Sequence, residues 1–179
     1  MSAQNSTPEI GEMIEAISTG RVAAKDLEML GQIEKKVRWL SSWTIHNANH
    51  IRPKRDGIKV GGHQASCASM TTLMTALYFN VLRPQDRVAV KPHASPVFHA
   101  INYLFGRQTR EKLENFRAFG GAQSYPSRTK DGDVVDFSTG SVGLGAAVTN
   151  FAALTQDYLR YKDMLPRGEK PGRMVALVG

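Results

Sequence analysis

The run Met174-Val175-Ala176-Leu177-Val178 constrains the fold more than any other feature of the chain. Five consecutive apolar residues between Pro171-Gly172 and Gly179 leave no face for water, the pattern of a buried strand in a parallel sheet. A second short segment, Arg87-Val88-Ala89-Val90, ends at Lys91-Pro92-His93 and runs into a helix start at Ser95-Pro96. Strands that alternate with helices predict an α/β fold with a mostly parallel sheet. Such a strand needs neighbours on both sides, and the sequence offers only two convincing strands. It therefore reads as the front part of a domain, cut short.

Helical periodicity fills the intervals. Thr7 and Pro8 open a short helix with Ile10, Met13, Ile14 and Ile17 on one face, stopped by Gly20. A longer helix is expected over 25–49, with Leu27, Leu30, Val37, Leu40 and Trp43 as its apolar stripe. Met70, Leu73, Met74, Leu77, Tyr78 and Val81 follow helical spacing and predict a buried helix, its methionines filling core rather than facing a cofactor. Further helices are expected from Ser95 to Phe105, from Thr109 to Phe116 and over 146–164, with 119–137 irregular.

Charge narrows the partners. The chain has 23 Lys and Arg against 16 Asp and Glu, a net charge of +7 in 179 residues. No run of five basic residues occurs and aromatics are not interleaved with the cations, so no nucleic-acid arm is expected. A phosphate-sized anion is the more economical ligand. Cys67 is the sole cysteine, which excludes an intrachain disulfide and a cysteine-rich metal site. Glu9, Glu12 and Glu15 near the start do not fit an ordinary signal peptide, and no stretch approaches a membrane span of about 18 apolar residues. The expected location is the cytoplasm.

Three turns abut helices and carry groups able to meet a diphosphate: Gly61-Gly62-His63-Gln64-Ala65-Ser66, Lys91-Pro92-His93-Ala94-Ser95-Pro96 and Thr139-Gly140-Ser141-Val142-Gly143-Leu144-Gly145. Glycine permits close backbone approach, and histidine donates to phosphate oxygens or moves protons near neutral pH. Taken singly, each histidine is more often a hydrogen-bonded core or loop residue. His46 and His50 stand four apart, but no Glu lies between them and no third ligand is evident. Gly143-Leu144-Gly145 begins a dinucleotide fingerprint that Val148 breaks.

In order, these turns together with Phe116-Arg117 and Ser124-Tyr125-Pro126 resemble the thiamine-diphosphate enzymes of the transketolase superfamily. They look closest to the homodimeric pyruvate dehydrogenase decarboxylating component. The resemblance covers about Trp39 to Gly179 and implies a thiamine-diphosphate-binding three-layer αβα fold, truncated here. It divides the chain into an N-terminal helical arm at 1–50 and an incomplete diphosphate-binding domain at 51–179.

The resemblance further implies that His63, Ser66 and His93 lie beside the cofactor diphosphate and the substrate, with His63 and His93 managing protons. Gly140, Ser141 and Val142 match the stretch whose backbone faces the aminopyrimidine ring. Gly179 matches the first residue of the family's Gly-Asp-x-Glu motif, so ligands for Mg2+ are expected beyond it and none within the chain. Lys91-Pro92-His93 departs from the Gln-Gly-His of the pyruvate dehydrogenase relatives.

The implied function is the N-terminal part of a decarboxylating 2-oxo acid dehydrogenase, homodimeric when full length and able to meet a lipoyl-bearing acyltransferase. The fragment is expected to be inactive alone. The alternatives are a transketolase moving a two-carbon ketol unit between sugar phosphates, and a non-catalytic anion-binding module.

Overall fold

The computed structural model describes residues 24–54, 56–132, 134–140, 143–166, 168 and 170–179. The helix expected after Thr7 lies outside them. Helix α1 spans Ala24–His46 and ends in a π-helical turn at Asn47–Ile51. Helix α2, Gln64–Ala76, ends the same way at Leu77–Val81. Strand β1 is Arg87–Ala89, and a 3-10 turn at Pro92–Ala94 leads into α3, Ser95–Leu104. The short α4 is Arg110–Glu114, α5 is Leu144–Tyr161 and β2 is Met174–Ala176.

The chain is α/β and mostly helical. Strands β1 and β2 pair in parallel, with Val88 opposite Val175 and Ala89 opposite Ala176. Pleating sends alternate side chains to opposite faces. Val88 and Val90 enter a core shared with Val37 and Ile45 of α1, Met74 of α2, and Val97, Phe98 and Ile101 of α3. On the other face a Cβ on Gly145 would stand 3.3 Å from Ala89 Cβ, so small residues let α5 lie close to the sheet.

Helix α3 is buried from Ser95 through Asn102 and forms the centre of the packing. Its one histidine, His99, is fully buried. The Gln123 carbonyl, which can only accept, lies 2.7 Å from Nε2, so the proton sits there. Nδ1 then accepts from the Gln108 amide at 3.1 Å. Burial lowers the His99 pKa more than Asp131 and the Gln123 carbonyl raise it, and the ring is neutral. Through Gln123 it ties the irregular segment after α4 to the core.

Two expected stripes are corrected. Leu73 and Val81 are exposed, and Cys67, Met70, Thr71, Met74 and Thr75 take the inner face of α2. Thr71 manages this by donating to the Cys67 carbonyl at 2.8 Å, which satisfies its hydroxyl inside the helix. In α1, Leu27 is exposed, and the inner face is built from Val37, Ser41, Thr44, Ile45 and Ala48. The terminal apolar run is also less enclosed than expected: β2 is half-buried, Leu177 is buried and Val178 is exposed. Among the described residues β2 pairs with β1 alone.

Candidate functional site

In an α/β sheet ligands gather at the carboxyl ends of the parallel strands. Here β1 delivers Lys91 and His93 to that end. His63, just before α2, brings its ring against that of His93, with centroids 4.1 Å apart and planes 20° apart. The two backbones are held together by α2: the Cys67 amide donates to the His63 carbonyl at 3.0 Å, and Cys67 Sγ lies 3.6 Å from the His93 carbonyl.

The turn that feeds His63 explains its glycines. Gly61 and Gly62 have φ of +90° and +126°, a region side chains rarely adopt. A Cβ on Gly62 would meet Ile45 Cγ2 at 2.9 Å, and one on Gly61 would meet Arg117 Nη1 at 2.5 Å. Asn49, in the π-helical turn after α1, fixes the same backbone from both sides. Its Oδ1 accepts from the Gly61 amide at 3.0 Å and its Nδ2 donates to the Gly61 carbonyl at 2.9 Å.

Arg117 lies on the other side of this turn. It holds a left-handed φ of +62°, a strained state for a long side chain that costs on the order of 1–3 kcal/mol. Its Nη1 donates to the Val60 carbonyl at 2.9 Å, and its buried Nε has no partner. The segment before it is anchored by Asn47 Nδ2 on the Glu114 carbonyl at 2.9 Å and by Arg52 Nη1 on the Phe116 carbonyl at 2.9 Å. Partial burial, the neighbouring His93 and the Arg117 charge all lower the His63 pKa, so this ring is neutral at neutral pH.

Of the remaining expected residues, Ser66, Gly140 and Gly179 are described. Ser66 sits in the first turn of α2 with its Oγ buried and unpaired. Gly140 is exposed and a Cβ there would meet nothing; its neighbour Thr139 donates to the Val90 carbonyl at 3.0 Å and so holds this loop at the end of β1. Gly179 lies beside Lys91. Ser141 and Val142 lie outside the described residues. Burial pushes the Cys67 thiol up to about 12, which removes it as a nucleophile. The His46 and His50 rings lie 4.9 Å apart with their planes tilted by 31°, and no cluster of three metal-ligating side chains occurs among the described residues.

Asn49 and Arg117 are the supporting residues that motif reading did not single out as site residues. Asn49 carries no signal in its own neighbourhood. Arg117 carried one only by following Phe116 in a segment of the family pattern.

Two stacked histidines, an unpaired hydroxyl and glycine turns thus stand in an α/β chain near the carboxyl end of a parallel strand, the place where ligands gather in folds of this class. No protein-family model matches the chain. The chain nevertheless belongs with the pyruvate dehydrogenase E1 components. It is 34% identical over 155 residues to that of Pseudomonas aeruginosa, 81% of this chain and 17% of the relative. The E1 component of Mycolicibacterium smegmatis is 33% identical over 134 residues, 69% of this chain and 14% of the relative. That of Escherichia coli is 29% identical over 148 residues, 78% and 16% respectively. The chain thus spans about one-sixth of the length of these relatives, which are enzymes. No helix among the described residues is long and apolar enough to cross a membrane.

Proposed function

We propose that this chain forms one wall of the thiamine-diphosphate site of a pyruvate dehydrogenase E1-type enzyme acting on a 2-oxo acid in the cytoplasm. The observation that carries the reading is the His63–His93 stack beside the unpaired Ser66 hydroxyl. A buried hydroxyl without a partner costs about 1–3 kcal/mol, which a bound anionic oxygen would offset. The groups gathered here are donors and cations, which suits a diphosphate. When bound, the cofactor supplies an electron sink for cleavage next to a carbonyl.

The chain's own residues bind and manage protons. Ser66 Oγ and the ring N–H groups of His63 and His93 donate to anionic oxygens. His63, held neutral, accepts a proton from the reacting centre or from a water. Partial desolvation, the packed His93 ring and Arg117 all disfavour the protonated form of His63, so a proton taken up there is readily released. The exposed backbone at Gly140 is open to a flat ring, and Ser141 and Val142 extend that proposed contact. Gly179 and the divalent metal it is proposed to precede complete the reading, with the metal ligands supplied by other residues.

The same reading makes the division at residue 50 a boundary between an arm and a cofactor domain, with α1 packed on that domain. It makes the active form a homodimer that delivers its acyl group to a lipoyl-bearing partner, and the 179 residues alone inactive. The test is pyruvate-dependent reduction of a dye acceptor with thiamine diphosphate and Mg2+. The full-length polypeptide turns over, His63→Ala and His93→Ala each lower kcat by about 10²–10⁴-fold, and the 179-residue chain does not turn over. Unchanged kcat in both variants defeats the catalytic reading.

A further inference from the structure

A separate cleft of about 290 Å³ opens at the end of the sheet away from the histidine pair, where the chain enters β1 and β2. Gln85 and Arg87 line it from the start of β1, and Gln156 and Arg160 line it from the last turns of α5, four residues apart on one helix face. Lys170 and Pro171, ahead of β2, complete the lining. Arg167 and Glu169 lie outside the described residues, and the cleft is built without them.

Hydrogen bonds and close packing hold these walls in place. Gly172 lies so close to Gln85 that a Cβ there would stand 1.9 Å from the Gln85 carbonyl oxygen. Arg83 Nη2 donates to the Pro171 carbonyl at 3.1 Å, and Asp86 holds the same guanidinium at 3.0 Å. Arg87 is oriented by its Nη1, which donates to the Pro84 and Asp86 carbonyls at 2.8 Å each.

The lining contains the cations Arg87, Arg160 and Lys170 and no carboxylate. Asp136 faces Arg87 Nε at 3.6 Å from outside the lining, but among the described residues no carboxylate pairs with Arg160 or Lys170. Nor is Arg160 needed to cap its helix. The Tyr158, Leu159 and Arg160 carbonyls already accept from the backbone amides of Lys162, Met164 and Asp163 at 2.9–3.0 Å. Cations around one concave space repel one another, and an anion that meets them together reverses that cost. A carboxylate offers two oxygens, whereas a phosphoryl group offers three and is largely dianionic near neutral pH. The Gln85 and Gln156 amides add neutral donors.

We propose that this cleft binds a phosphate dianion, free phosphate or the phosphoryl group of a small phosphate ester, through Arg87, Arg160 and Lys170. The site is distinct from the histidine crevice, which lies at the carboxyl end of β1, and it does not depend on the thiamine-diphosphate reading.

The test is titration of the chain with inorganic phosphate and, separately, with glycerol 3-phosphate at constant ionic strength, followed by calorimetry and amide chemical shifts. Saturable binding is expected, with shifts centred on Gln85, Arg87, Gln156 and Arg160. Arg160→Gln weakens it about tenfold or more, Arg160→Lys by less because the charge stays and only the fork is lost, and Lys170→Gln adds to the loss. Lys36→Gln, exposed on α1, leaves it unchanged. Equal affinity for the two probes assigns free phosphate as the source, and tighter binding of the ester assigns the ester.

Arg160 and Lys170 are exposed, so their variants keep the fold, which a cooperative melt verifies; Arg160→Met serves if Arg160→Gln does not melt cooperatively. Absence of saturable binding of either probe overturns the proposal. So do shifts confined to His63 and His93, or an affinity unchanged in the folded double variant Arg160→Gln, Lys170→Gln.

Discussion

His63 shows how neighbours set the state of a single residue. Its ring is exposed, yet partial desolvation, His93 at stacking distance and the Arg117 guanidinium all act against protonation. The expected outcome of a proton NMR titration is a His63 midpoint below the ordinary value of about 6.5. Arg117→Gln and His93→Gln each move it upward, because each removes a positive neighbour. A His63 midpoint that stays put in both variants contradicts this electrostatic account. The paired motifs made His63 and His93 legible in the sequence. Arg117 was legible only as part of Phe116-Arg117, because its importance lies in a left-handed backbone and in a contact with Val60, 57 positions away.

At the scale of elements, the Gly61-Gly62 turn is the most demanding join. It must pass between Ile45 of α1 and Arg117 and then start α2 with His63 in place. Gly62→Ala meets both a positive φ and a contact at 2.9 Å, for which we expect destabilisation of about 2–4 kcal/mol in urea unfolding. Gly57→Ala, with open space and no positive φ, is expected to be neutral or stabilising by less than about 1 kcal/mol. Helix α5 presents the reverse situation. Its sequence is as apolar as a core helix, but only Gly145 and Thr149 are buried, while Phe151, Leu154 and Tyr158 are exposed. Periodicity therefore located this helix without revealing which face meets the sheet: the close approach is made by a glycine, which carries no hydrophobic signal.

Across the whole molecule, Asp86 joins the two strands at the end away from the site. Its buried carboxylate accepts from the Arg173 amide at 2.7 Å and from Arg173 Nε at 2.9 Å, and also from the Arg83 amide and guanidinium. Burial alone raises the Asp86 pKa, but the hydrogen bonds from Arg173 and Arg83 outweigh it and hold the carboxyl well below the usual carboxylate range. Because the folded pKa is depressed, this stabilisation is fully present above about pH 4 and fades as pH falls toward the folded value. Breaking a buried pair costs about 3–5 kcal/mol; with Arg173 47% exposed, we expect about 2–3 kcal/mol for Asp86→Asn at pH 7. That difference shrinks in acid, and a pH-independent difference in urea midpoints contradicts the linkage.

The order of strands and helices was legible because apolar runs and 3.6-residue spacing are local consequences of burial. Val88, Val90 and Leu177 announced the sheet, and the glycine and histidine turns marked the candidate site. Tertiary structure decided what depends on partners far apart in the chain. It put Thr71 and Thr75 rather than Leu73 against the core, and stacked His63 on His93 across 30 residues. Periodicity records how a segment meets water, whereas a ring stack, a strained φ or an unpaired buried hydroxyl exists only once separate segments share the same space.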